Sequence, residues 1–175
     1  MSSDKELYAW CESGQYERAF QEIVRLYSQR LYWHIRKMVL LHDDADDILQ
    51  NTLLKAWTGL PAFRWKSQIF TWLYRIATNE VLTFLKKSRS VKQLPLEDRL
   101  NADPPLFNGD QIQKALQKAI LRLPPKQRLV FNMRYFDEIR YEDMSRILGT
   151  SVGALKASYH HAAAKVQESL KELLL

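Results

Sequence analysis

The sequence has little of several residue types, and each shortage excludes a class of protein. Cys11 is the single cysteine among 175 residues, so a disulfide framework is excluded and a reducing compartment is expected. Only five glycines are present, and no stretch alternates apolar and polar residues as a strand would. No apolar run approaches the roughly 20 residues that span a bilayer, and the first ten residues mix both charges, unlike a signal peptide. The sequence therefore predicts a soluble, cytoplasmic, all-α protein.

The motifs of enzyme chemistry are also missing. No glycine-rich phosphate loop, no metal-ligand spacing and no nucleophile beside a candidate base is found. His160 and His161 are adjacent, so on a helix they point about 100° apart and cannot share a metal as an i, i+4 pair can. Cys11 is interpreted as a small buried side chain rather than a redox sensor. The sequence predicts no catalytic residue, no metal, no cofactor and no small-molecule substrate.

Positive charge is present and is concentrated in two blocks. The chain carries a net charge of +6. Residues 61–92 carry +6 and residues 111–175 carry +5, whereas residues 1–60 and 93–110 carry −2 and −3. Two separate basic blocks in an otherwise neutral or acidic chain indicate two nucleic-acid contacts. The alternative is that the excess of Lys and Arg only solvates helix surfaces.

Hydrophobic periodicity predicts helices on both sides of an aperiodic stretch. Apolar residues recur at helical spacing from Ala19 to Val39. Two further predicted helices follow, one that starts with the acidic residues 42–47 and one that starts at Ile69. Residues 88–110 contain three prolines and no clear period, which predicts a flexible linker. The sequence thus predicts two small helical domains, residues 1–88 and 111–175, joined by a linker over 89–110.

The C-terminal block predicts a helix-turn-helix. A short helix ends at Leu148, Gly149 suits a left-handed turn, and Ser151 suits the N-cap of the next helix. One side of that second helix is apolar and would anchor it, while the other side would enter the major groove and read base edges. A plain helical hairpin is the alternative.

Between Pro61 and Lys87, aromatic residues are interleaved with basic ones. Unpaired bases stack on aromatic rings while cations bind the phosphates, and stacking contributes about 1–3 kcal/mol per base. Trp65, beside Arg64 and Lys66, has little reason to be buried. The block therefore predicts binding of single-stranded or distorted nucleic acid. Asn79 is expected to bond either a base edge or only the backbone.

Four stretches resemble, in order, the conserved blocks of bacterial sigma factors. They read DADDILQNTLLKAW, FRWKSQIFTWLYRIATN, LPPKQRLVFNMRYF and YEDMSRILGTSVGALKASYHHA. The small size points to the extracytoplasmic-function (ECF) group, and the resemblance covers about Tyr16 to Val166. It implies a protein that binds core RNA polymerase, recognises promoter DNA and melts the minus-ten element to start transcription.

The resemblance also implies a role for individual residues. A polymerase-docking helix would include Asp44, Asp46, Asp47, Gln50 and Asn51. The non-template strand of the minus-ten element would be bound by Phe63, Arg64, Trp65, Lys66, Trp72, Arg75, Asn79, Lys86 and Lys87. The minus-thirty-five duplex would be bound by Arg140, Arg146, Ser151, Gly153, Lys156, Ala157, Ser158, His160 and His161. An anti-sigma factor is implied as a further partner.

Two departures from the family's usual motifs limit what the resemblance implies. The usual Phe-Arg-Gly followed by an acidic residue is Phe63-Arg64-Trp65-Lys66 here, and three usual arginines are missing after Lys156. The preferred bases therefore do not carry over, and fewer cations predict a shallower salt dependence. We expect the free protein to bind promoter DNA weakly. A stand-alone helix-turn-helix regulator, which would usually dimerise, and an RNA-binding adaptor are the alternatives.

Overall fold

The computed structural model describes residues 4–89 and 111–175, and these form eight α-helices and one 3-10 turn. The N-terminal half consists of α1 (Asp4–Glu12), α2 (Tyr16–Arg36), α3 (His42–Gly59), the 3-10 turn (Leu60–Ala62) and α4 (Ile69–Arg89). The C-terminal half consists of α5 (Gln111–Leu121), α6 (Pro125–Tyr135), α7 (Tyr141–Leu148) and α8 (Val152–Leu174). No strand occurs within these two ranges, so the predicted all-α class is confirmed. Residues 90–110 of the predicted linker lie outside the described residues.

In the N-terminal half, α2, α3 and α4 each bury one apolar stripe against the others. The stripe of α2 includes Ala19, Ile23 and Ile35, all fully buried. Helix α1, which the sequence analysis did not predict, packs on this core through Leu7 and Cys11. Its first residue, Asp4, accepts a hydrogen bond from the amide of Ile69 at 3.0 Å. Because the first amides of a helix have no partner within the helix, Asp4 caps α4 from a distant part of the chain.

The helix-turn-helix has the local geometry that the sequence predicts. Gly149 ends α7 in the left-handed conformation, with φ of 64°, which glycine adopts without a steric penalty. Ser151 then caps α8, since its hydroxyl accepts a hydrogen bond from the amide of Ala154 at 3.2 Å. Phe131 of α6 and Val166 of α8 meet in a hydrophobic cluster that joins α5, α6 and α8. The second helix is therefore fixed to the domain by its apolar side.

The two halves pack against each other, an arrangement we call the closed form. One hydrophobic cluster includes Met38 of the N-terminal half and Met133 and Met144 of the C-terminal half, each fully buried. The carbonyls of Lys37 and Met38 follow the end of α2 and accept hydrogen bonds from side chains of α6. Their donors are the Asn132 amide at 3.2 Å and the Arg128 guanidinium at 3.1 Å. Side chains of one half thus cap a helix of the other.

A buried ionic cluster, which we call the Asp137 contact, also joins the halves. The Asp137 carboxylate follows α6 and pairs with His34 Nδ1 at 3.3 Å and with the Lys37 ammonium. His34 is fully buried, and its Nε2 bonds the Thr78 hydroxyl of α4 at 3.0 Å. Burial raises the pKa of Asp137, but the hydrogen bonds and charges of His34 and Lys37 outweigh it and leave this pKa lowered. The carboxylate is therefore ionised where it joins the halves.

The described residues contain neither a membrane-spanning helix nor a metal-binding cluster. No helix there combines the length and the apolar character needed to cross a bilayer. No group of three or more His, Cys, Asp or Glu side chains in the same ranges is arranged to bind a metal ion.

Candidate nucleic-acid and polymerase interfaces

The aromatic residues of the N-terminal basic block come together in the loop before α4. Phe63 stacks on Trp72 with ring centroids 4.7 Å apart and planes inclined by 22°, and it contacts Trp65 at 4.9 Å. Gly59 permits this arrangement, because a Cβ atom there would lie 3.1 Å from the Trp72 ring. The three rings form a continuous, partly exposed aromatic surface next to Arg64 and Lys66.

Trp65 has an unusual backbone conformation. Its φ is +55°, a region that glycine occupies freely and that costs other residues roughly 1–2 kcal/mol. This conformation is one that the glycine usual in the resembling motif would adopt without a steric penalty. The Trp65 ring is fixed on a second side by Tyr8 of α1, whose ring meets it edge-on at 5.6 Å and 77°. Packing against Phe63 and Tyr8 offsets the backbone strain and orients the indole.

Two clefts border Trp65. The larger, of about 750 Å³, has four basic residues in its lining and one acidic residue, Asp4; we call it the basic cleft. The basic residues are Lys5, Arg64 and Lys66 of the N-terminal half and Arg146 of the C-terminal half. The smaller, of about 350 Å³, lies between α1 and the loop, and we call it the α1 cleft. Its lining includes Tyr8, Cys11, Glu12, Tyr16, Phe63 and Arg64. Both volumes fall in the range of about 300–1,000 Å³ that small-ligand sites occupy.

The polar residues of the α1 cleft are partly organised. The Tyr8 hydroxyl donates a hydrogen bond to Glu12 Oε1, one helical turn away. This bond is the main cause that raises the pKa of Tyr8. Burial raises the pKa of the Cys11 thiol, so the thiol stays protonated and unreactive. None of the α1 residues could be placed in a site from the sequence, because their proximity to Trp65 depends on tertiary packing.

Helix α4 carries the rest of the predicted minus-ten residues. Arg75, Asn79, Lys86 and Lys87 are exposed, whereas Trp72 is half-buried. Trp72, Arg75, Asn79 and Lys86 recur at helical spacing and share one side of α4. In the closed form the Arg75 guanidinium donates to the carbonyl of Arg146 near the end of α7. One predicted DNA contact is thus engaged with the other half of the protein.

The predicted docking helix, α3, exposes a mixed surface. Asp47, Gln50 and Asn51 are exposed, while Asp44 and Asp46 are half-buried, and Asp46 pairs with His42 at 3.1 Å. Two apolar side chains continue this surface along the helix. They are Leu54, which is 61% exposed, and Trp57, which is 40% exposed. Neither residue was predicted from the sequence to belong to this surface. Leu54 nevertheless follows Gln50 and Asn51 by four and three residues, so it lies on the same side of the helix.

The predicted reading side of α8 is open to solvent. Gly153, Lys156, Ala157, His160 and His161 are exposed, and Ser158 is half-buried. Ser151 is exposed as well, with its hydroxyl engaged as the cap. Arg140 and Arg146 flank this surface, and each bonds to Asp143 at 3.3 Å. The exposed basic residues on and beside this surface are therefore few: Arg140, Arg146 and Lys156.

Comparison with known proteins identifies the family. Residues 23–91 match the model of Sigma-70 region 2, and residues 113–166 match Sigma-70, region 4. The ECF RNA polymerase sigma factor SigM of Mycobacterium tuberculosis is 31% identical over 170 residues, covering 96% of this chain and 85% of that protein. The chain belongs to the ECF sigma factors. It recognises promoter DNA for core RNA polymerase, with which it starts transcription.

Two further sigma factors, SigW and RpoE, agree with this assignment. The ECF RNA polymerase sigma factor SigW of Bacillus subtilis is 27% identical over 169 residues, covering 89% of this chain and 90% of that protein. The solved sigma factor RpoE of Bartonella quintana, in complex with the anti-sigma factor NepR, has a TM-score of 0.72 at 27% identity. That match covers 87% of this ECF sigma factor and 96% of RpoE. CnrH, solved with the cytosolic domain of CnrY, shares the fold, with a TM-score of 0.73 at 23% identity, covering 98% and 99% of the two chains.

Proposed function

We propose that residues 1–88 bind core polymerase and the melted minus-ten strand, and that residues 111–175 bind the minus-thirty-five duplex, with residues 89–110 as the linker. The observation that carries this proposal is the aromatic surface of Phe63, Trp65 and Trp72 beside exposed cations. This ECF sigma factor acts in the cytoplasm as an initiation factor and not as an enzyme. The chemistry of RNA synthesis belongs to the polymerase.

At the minus-ten element, the protein captures bases that leave the duplex. Unpaired bases stack on the exposed parts of the three rings, and Arg64 and Lys66 bind the neighbouring phosphates. Asn79, Lys86 and Lys87 extend the contact along α4, and Arg75 joins them when it leaves the carbonyl of Arg146. Unpairing a base costs a few kcal/mol, which stacking on one or two rings offsets. Melting therefore needs no energy source beyond binding.

On the polymerase side, α3 provides a docking surface that combines charge, amides and apolar area. Asp44, Asp46 and Asp47 supply negative charge, and Gln50 and Asn51 supply hydrogen bonds. Leu54 and Trp57 give the apolar contact that the centre of a stable interface needs. An acidic surface repels DNA, so this helix is directed to a protein partner.

At the minus-thirty-five element, α8 lies in the major groove, with Gly153, Ala157 and His160 facing base edges and Lys156 binding a neighbouring phosphate. Ser151, Ser158 and His161 contact the groove margin, and Arg140 and Arg146 contact phosphates. Small residues along the reading side allow close approach of the helix but supply few hydrogen bonds. The helix alone therefore binds weakly, and attachment to polymerase and to the minus-ten strand raises its effective concentration.

Binding both elements requires the closed form to open. Elements centred about 25 base pairs apart are separated by about 85 Å along B-DNA. A compact chain of this length has a radius of gyration of about 16 Å. The halves therefore separate on the promoter, which also releases Arg75. An anti-sigma factor, the kind of partner that RpoE has in its solved complex, would act on one of these forms.

The test is in-vitro transcription with core polymerase, a genomic fragment library and permanganate footprinting of unpaired thymines. The expected result is a set of transcripts with a shared upstream pattern and reactive thymines that require the protein. Trp65→Ala should lower promoter opening about 5- to 150-fold, the equivalent of one lost base stack of about 1–3 kcal/mol. Trp33→Ala, which removes an exposed tryptophan that borders neither cleft, is the matched control. Sequence-specific DNA binding by the protein alone, without polymerase-dependent opening, would instead support the stand-alone regulator.

A further inference from the structure

We propose that the α1 cleft is a second nucleobase subsite, which takes one unpaired base and selects bases with an exocyclic amino group over thymine. The proposal rests on the proposed function, since it adds a position to the same single strand. The residues that set the selectivity are Glu12 and Tyr8 of α1. Helix α1 precedes the region matched by the family models, which begins at residue 23.

The shape of the α1 cleft suits a flat aromatic ligand. Rings of Tyr8, Tyr16, Phe63 and Trp65 line it, and Leu60 and Pro61 complete the apolar lining. Trp65 borders both clefts, so a strand that stacks one base in the basic cleft passes the same indole to reach the α1 cleft. Arg64 also borders both clefts, where it can bind the phosphate between two successive bases.

The charge of the cleft determines which base it accepts. A carboxylate beside a polyanionic strand is repelled, unless it receives hydrogen bonds from the base itself. Glu12 carries such a carboxylate, and its Oε1 is oriented by the hydroxyl of Tyr8. An ionised carboxylate only accepts hydrogen bonds, and it pairs well with the amino group of cytosine. Adenine and guanine carry amino groups too, whereas thymine has only one donor, N3–H, and the carbonyl oxygens on both sides of it are repelled by the carboxylate.

The α1 cleft is independent of the closed form. All its lining residues belong to the N-terminal half, whereas the basic cleft includes Arg146 of α7. Separation of the halves on the promoter therefore leaves this subsite intact. Trp65 supports its wall through the contacts with Tyr8 and Phe63.

The test uses the full-length protein with core polymerase on a promoter found in the run-off experiment. Each position of the melted non-template strand is varied through all four bases in fork templates, and affinity is measured by fluorescence anisotropy. The wild type should bind thymine about tenfold more weakly than the other bases at one position. Glu12→Gln should abolish that discrimination, since an amide both donates and accepts. Tyr8→Phe keeps the ring but not the hydroxyl that orients Glu12, and should weaken the discrimination.

Glu17→Gln is the control, because Glu17 is exposed at the start of α2 and borders neither cleft. Discrimination lost at one position in Glu12→Gln and kept in Glu17→Gln supports the subsite. Two outcomes overturn the proposed subsite. One is that Glu12→Gln has the base preferences of the wild type at every position, and the other is that Glu17→Gln changes them equally. Both outcomes are read in complexes that open promoters. A failure of the proposed function would appear earlier, as the absence of any polymerase-dependent opening.

Discussion

Replacing Asp137 with asparagine should release the two halves of the protein from each other. The carboxylate is 11% exposed and pairs with His34, which is fully buried, and with Lys37, which is 11% exposed. Removing one partner of a buried ion pair costs about 3–5 kcal/mol, because the remaining charge stays desolvated. Asparagine keeps the shape and one acceptor, so we expect the lower end, about 3 kcal/mol. The ratio of closed to open protein should then fall roughly 150-fold.

The assay is energy transfer between dyes on the two halves during a urea titration. Gln21→Cys in α2 and Gln167→Cys in α8 provide exposed labelling sites, in a Cys11→Ala background. Separation of the halves should occur at lower urea in Asp137→Asn than in the parent. Asp143→Asn is the matched control, since its carboxylate is 14% exposed but its partners, Arg140 and Arg146, belong to the same half. Equal transitions in the parent and both variants would refute the reasoning, and so would equal shifts in the two variants.

The same contact predicts a pH dependence of the closed form. The pKa of Asp137 is lower in the closed form than its ordinary value of 3.8. The contact therefore contributes fully above that ordinary value, and its contribution is lost as the pH falls through the lowered pKa. In the energy-transfer assay, acidification below about pH 4 should separate the two halves of the parent protein. The distance between the halves of Asp137→Asn should change less over the same pH range. An identical acid response of the two proteins would contradict this assignment.

Three further changes have expected outcomes. Ser151→Ala removes the cap of α8 and should lower the free energy of unfolding by about 1 kcal/mol in urea denaturation, where an unchanged midpoint would contradict the capping role. Lys156→Ala removes one phosphate contact, so the slope of log affinity against log salt for the holoenzyme should become shallower by about 0.9; a constant slope would remove Lys156 from the interface. Leu54→Ala should weaken the binding of labelled protein to core polymerase by about 1–2 kcal/mol, without changing binding to the minus-thirty-five duplex. Unchanged affinity for core polymerase would mean that Leu54 is not part of the docking surface.

Local features of the fold could be predicted from the sequence, because local chemistry determines them. Gly149 and Ser151 give the turn of the helix-turn-helix, since one permits a positive φ and the other supplies a capping oxygen. Acidic residues near a helix start can also supply a capping oxygen, but those of α3 do not. The helix begins at His42, with Leu41 at the N-cap position and no side-chain cap, so the aspartates lie in its first turns instead.

Features that depend on distant parts of the chain could not be predicted. Helix α1 contributes to the site through two contacts: Asp4 caps α4, and Tyr8 packs against Trp65. In both contacts the residues are more than 50 positions apart in the sequence. The Asp137 contact likewise joins residues about 100 positions apart. Trp65 shows a different limit. Its sequence neighbours indicate an exposed aromatic residue, but only the backbone shows that it takes a conformation typical of glycine.

The packing of α6 against the end of α2 has a consequence for the lifetime of the protein in the cell. When the halves part, Met38, Val39, Val130 and Met133 lose their apolar neighbours, and the carbonyls of Lys37 and Met38 lose their donors. Such a surface attracts proteases and promotes self-association unless another protein covers it. Open molecules that do not reach polymerase would therefore be degraded or aggregate first. The amount of available polymerase would then determine how much intact sigma factor remains in the cell, as well as how much of it is active in transcription.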